Sequence, residues 1–79
     1  MPSEQAPPRI PTDLKEIGDA VVLCAKVFRH GDLALNQYER ERLVRYCGRM
    51  PENKKQAQRW KIYLRALRKE ALAEEPETP

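Results

Sequence analysis

Gly31, Gly48 and Pro51 cut an otherwise helix-periodic chain into three pieces, and this punctuation limits the possible folds more than any other feature of the sequence. Glycine adopts the left-handed conformation that ends a helix, and proline turns the residue before it away from helical dihedrals. Between these stops, apolar residues recur at the three-and-four spacing of a helix face. The expected fold is all-α: a small three-helix bundle spanning residues 12–73, with helices at about 12–30, 36–48 and 52–73. Residues 1–11 hold four prolines and residues 74–79 three glutamates, so both are expected to be disordered tails, one Pro-rich and one acidic. A PxxP match at Pro8–Pro11 is too frequent by chance to carry weight.

Local signals set the expected ends and faces. Thr12 is placed to cap the first helix, with Asp13 and Glu16 against its positive end. Leu14, Ile17, Val21, Cys24, Ala25 and Phe28 then form one stripe, and Gly18 in the same sector permits close approach of another helix. Val22, Leu23 and Val27 fall outside that stripe. A helix apolar on nearly every side is either central in its bundle or shared with a partner. These three residues are therefore expected to form a homodimer interface or to meet another protein. Reading AVVLCAKVF as a buried strand is the alternative, and the flanking caps and segment length favour helix.

In the second helix Asn36 and Glu39 have capping-box spacing, and Leu43, Val44 and Cys47 supply the buried side, with Leu35 and Met50 at its flanks. The third opens with Pro51 and Glu52, or is capped by Asn53 with Gln56 reaching back. Its core stripe is Ala57, Trp60, Tyr63, Leu64, Leu67 and Ala71. A chain of 79 residues with one tryptophan and one phenylalanine has a modest core, for which oligomerisation is an ordinary remedy.

Charge carries most of the functional inference. The net charge of +3 hides a division of −2 over residues 1–39, +9 over 40–69 and −4 over 70–79. In the middle block eleven bases face only Glu41 and Glu52. On a helical wheel Tyr38, Arg42, Arg45 and Arg49 line up opposite Leu43 and Cys47, with Arg49 dependent on how the second helix ends. Lys54, Lys61, Arg65, Arg68 and Lys69 fall in an arc opposite Trp60 and Leu64, with Gln58 and Ile62 in or beside it. Arginine forks and lysine point charges suit phosphate, and a tyrosine among them can stack on a base. A solvated face also carries such residues, but it normally mixes the two signs. The first expectation is a non-enzymatic regulator that binds nucleic acid through the second and third helices. The alternative is an inhibitor or adaptor, of the kind phages and plasmids encode, whose basic face docks on an acidic patch of a nucleic-acid-handling complex.

Other chemistries find less footing. The second and third helices have helix-turn-helix spacing, but the start of the third matches no reading-helix pattern. Cys24, His30 and Cys47 are too few and wrongly spaced for zinc, and no cofactor or small-molecule substrate is expected. His30 suits a cation at a helix C-terminus better than a base for a cysteine nucleophile. No apolar run reaches the roughly 20 residues of a membrane span, and no export signal is evident, so a cytoplasmic chain with reduced cysteines is expected.

Overall fold

The computed structural model describes residues 6–74, which form α1 (Leu14–His30), a 3₁₀ turn (Asp32–Ala34), α2 (Gln37–Cys47) and α3 (Lys54–Glu74), with no strand among the described residues. The chain is thus an all-α three-helix bundle. No helix of the described residues is long and apolar enough to cross a membrane. α1 is the central element, because the contacts of α2 and α3 run mainly to it.

The ends follow local chemistry with small shifts. α1 is capped by Asp13 and not by Thr12: the Asp13 carboxylate accepts from the Lys15 amide at 2.7 Å. At its other end Gly31 has φ 90° and donates to the Val27 carbonyl. The capping box of α2 is complete, with Asn36 accepting from the Glu39 amide and Glu39 accepting from the Asn36 amide. Gly48, left-handed at φ 93°, closes α2. Asn53 caps α3 by accepting from the Gln56 amide, and the Gln56 side chain reaches back to accept from the Glu52 amide instead of Asn53.

The core is Ile17, Ala20, Leu23, Cys24 and Val27 from α1, Leu35, Leu43 and Cys47 from the α2 side, and Ala57, Trp60 and Leu64 from α3. Full burial of a side chain such as Leu23 or Leu43 is worth roughly 1.5–3 kcal/mol, and Trp60 is the largest buried group. Leu23 and Val27, expected at an oligomer or partner interface, are each 1% exposed and belong to the chain's own core. The buried face of α1 is rotated toward Ala20, Leu23 and Val27, which leaves Phe28 partly exposed and Val22 56% exposed. Val44, expected to be buried, is also at the surface.

Cys24 and Cys47 meet in the core as free thiols. The hydrogen bond with Cys47, and then burial, push the Cys24 thiol far upward, so it remains protonated and packs as a small hydrophobe.

Of the expected Pro-rich tail, residues 6–11 are described, and they lie against the bundle. Pro7 and Pro11 are buried, and the Arg9 amide donates to the Cys47 carbonyl at 2.9 Å. A Cβ on Gly48 would stand 3.3 Å from the Cβ atoms of both Pro8 and Arg9, so a side chain at this left-handed position would press on the strap. The PxxP segment is therefore part of the bundle surface. Residues 1–5 and 75–79, the remainder of the two expected tails, lie outside the described residues.

Candidate binding surface

The basic residues expected to act together are divided between structural and exposed positions. Arg42 is committed to α1: its Nε donates to Asp19 Oδ2 at 2.8 Å and its Nη2 to Oδ1 at 3.3 Å. The Tyr46 hydroxyl donates to the same carboxylate at 2.8 Å. Burial of Asp19 works against its charged form, yet the bonds from Arg42 and Tyr46 and the Arg42 charge hold its carboxyl below the usual value. Tyr46 is shifted upward by burial and by its bond to Asp19, and Arg42 upward by the Asp19 bond and charge.

Two more cross-element pairs consume charge beside this cluster. Lys26 meets Glu39 at 2.6 Å, and that bond, followed by the Asn36 amide, holds the Glu39 carboxyl below its ordinary value. Arg40 donates to the Asp32 carbonyl and stands 4.0 Å from the Asp32 carboxylate. Arg49 folds inward as well, with its guanidinium 5.4 Å from the centre of the Trp60 ring and bonds to the Met50 carbonyl and Gln56 Oε1. Tyr38 and Arg45 remain exposed on α2. The sequence reading missed Asp19 and Tyr46. Their signal lay in the complementary order of Asp19 and Lys26 on one edge of α1 against Arg42 and Glu39 on α2, which acquires meaning only once the two helices are paired.

The bases of α3 are placed differently. Arg65, Arg68 and Lys69 lie along its seam with α1, on the side away from α2, and Lys61 continues the row with its ammonium 5.2 Å from the centre of the Phe28 ring. Lys54 sits at the far end of the bundle, near Gly31. Among the described residues Arg65, Arg68 and Lys69 meet no carboxylate within ion-pair distance.

This seam is a shallow trough, about 590 Å³ at its Leu72 end and about 460 Å³ at its His30 end, the two parts sharing Val21, Val22 and Arg65. Its floor includes the small residues Gly18, Ala25 and Ala66, and no carboxylate lines either part. Of the three residues expected to form an interface only Val22 lies here, and exposed Leu72 joins it. The trough therefore combines apolar area left in water with positive charge left unneutralised. Among the described residues no three or more His, Cys, Asp or Glu side chains gather as a metal site requires. Comparison with known proteins finds no matching family model, no matching curated protein and no matching solved structure.

Proposed function

We propose that the chain is a non-enzymatic binding module that holds an acidic protein partner through the α1–α3 trough, acting as an adaptor or inhibitor of a larger complex. The observation that carries this reading is Val22, 56% exposed in the middle of α1 and flanked by Arg65 and Lys69 without carboxylate partners. A phosphate backbone would use the charges and leave Val22 and Leu72 in water. An acidic protein surface would use both, with the apolar contact supplying affinity and the charges steering encounter and register.

Nucleic-acid binding is the second reading, favoured by the row of Lys61, Arg65, Arg68 and Lys69 along about two turns of α3. One paired experiment separates the two. Wild type and an Arg65→Glu, Lys69→Glu variant are used to capture partners from the source cell with and without nuclease, and both are titrated with duplex and single-stranded oligonucleotides at ~50 mM salt. The protein reading expects a nuclease-resistant acidic partner that the variant loses. Oligonucleotide binding with a steep salt slope, lost in the variant and accompanied by nuclease-sensitive capture only, replaces it with the second reading.

A further inference from the structure

The geometry points to an amphipathic helix of a partner protein, apolar along one stripe and acidic on its flanks, as the occupant of the α1–α3 trough. The inference rests on the acidic-partner reading above and adds the form that the partner takes.

Two packed helices present a seam on each side. Here one side is occupied by α2, which meets α1 through Leu43, Cys47 and the Asp19 cluster. The opposite side is open, and α3 runs antiparallel to α1 there, with Arg68 beside Gly18 and Lys61 beside Phe28. From Gly18 to Arg29 this seam extends about 17 Å, the length of three helical turns. Gly18, Ala25 and Ala66 keep its floor low, so another helix axis can approach to the roughly 8–10 Å of ordinary helix packing. Helices bound in such grooves anchor through residues spaced three and four apart, which can cover Val22 and Leu72 together.

Charge selects among the occupants. Arg65, Arg68 and Lys69 are free of ion pairs among the described residues, and no carboxylate lines the trough. A second copy packed symmetrically on this seam would bring two sets of these bases into one interface with no carboxylate in either trough to answer them. An acidic helix instead brings glutamates to Arg65, Arg68 and Lys69 on the α3 rim while its apolar stripe meets the floor.

Gly18 allows the seam to be blocked without altering charge. A Cβ there meets the end of the Arg68 side chain at the ordinary contact distance of 3.6 Å, so the first carbon of Gly18→Leu is accommodated, its remaining atoms enter the trough by moving that flexible side chain, and helix propensity rises. The probe is a fluorescein-labelled, designed 18-residue peptide with leucines at i, i+3, i+4 and i+7 and glutamates on the flanks, followed by anisotropy. Its controls are a scrambled peptide of the same composition, a peptide with the same stripe and lysine flanks, a single-stranded oligonucleotide, and vesicles containing phosphatidylserine.

The amphipathic acidic peptide should bind at least about tenfold tighter than the scrambled one. Gly18→Leu and Val22→Asp should each remove that advantage, while circular dichroism melts show both variants folded. Equal binding of the scrambled peptide, lost in Arg65→Glu, would keep an acidic partner and overturn the helix. Indifference to Gly18→Leu, equal binding of the lysine-flanked peptide, or displacement of the probe by vesicles would also overturn it. Binding of the oligonucleotide through Arg65 and Lys69, with neither acidic peptide bound, would overturn the acidic-partner reading itself.

Discussion

Asp19 shows how one residue ties charge to architecture. It takes three hydrogen bonds from two side chains of α2, two from Arg42 and one from Tyr46, and so fixes how α2 sits on α1. Its carboxyl and that of Glu39 are held below their ordinary values, so their stabilisation is complete above the unfolded carboxylate range of about 3.9–4.3 and is lost as pH falls through the lower folded values. Tyr46 runs the other way. Its folded value is raised, so its contribution is complete below about 10 and is lost as pH climbs through that higher value. Urea midpoints measured from acid to alkaline pH should therefore decline at both ends. Tyr46→Phe should cost about 0.5–1.5 kcal/mol at neutral pH and flatten the alkaline decline, and Asp19→Asn should reduce the acid one. A Tyr46→Phe variant as stable as wild type at neutral pH would mean that the hydroxyl bond to Asp19 contributes nothing.

At the scale of the element, α1 has apolar residues on too many sides for its own pattern to choose a face. The run Val21, Val22, Leu23, Cys24 spans most of the circumference, and periodicity alone favoured the sector of Val21 and Phe28. Packing against Trp60 and Leu43 selected the neighbouring sector of Ala20, Leu23 and Val27. Leu23→Ala should accordingly cost about 2–5 kcal/mol, enough to unfold much of so small a domain, while Val22→Ala should stay within about 0.5 kcal/mol. Thermal melts of the two variants check this, and equal losses would contradict the assignment of faces. Helix ends were far more legible in the sequence, because caps are local: Asn36 with Glu39, and the glycines at 31 and 48, act within four residues of themselves. The candidate site was legible only in part. Arg65, Arg68 and Lys69 were found by their density, but the loss of Arg42 to Asp19, 23 residues earlier, and of Arg49 to the Trp60 ring depends on tertiary pairing that no single helix encodes.

For the whole molecule, the +9 of residues 40–69 is answered unevenly. Acids before residue 40 meet the bases on the α2 side, through Asp19 with Arg42 and Asp32 with Arg40, and among the described residues Arg65, Arg68 and Lys69 of α3 meet none. Among the described residues the fold thus sorts one dense charge block into a side whose bases pair with carboxylates between elements and a side whose bases do not. Since two of the three residues expected to mediate self-association are buried, and the third lies among bases, the chain should sediment as a monomer at high micromolar concentration and low salt. A dimer under those conditions would reassign the Val22 face to self-association. The strap of residues 6–11 ties the start of the described chain to the end of α2. The Arg9 amide bound to the Cys47 carbonyl turns α1 and α2 into a ring closed without a covalent bond. While the chain is intact, the strap meets α2 at the high effective concentration of a tethered segment. A single proteolytic nick between Pro11 and Leu14 would turn that clasp into a dilute encounter between two molecules, uncovering the end of α2 while leaving every helix uncut.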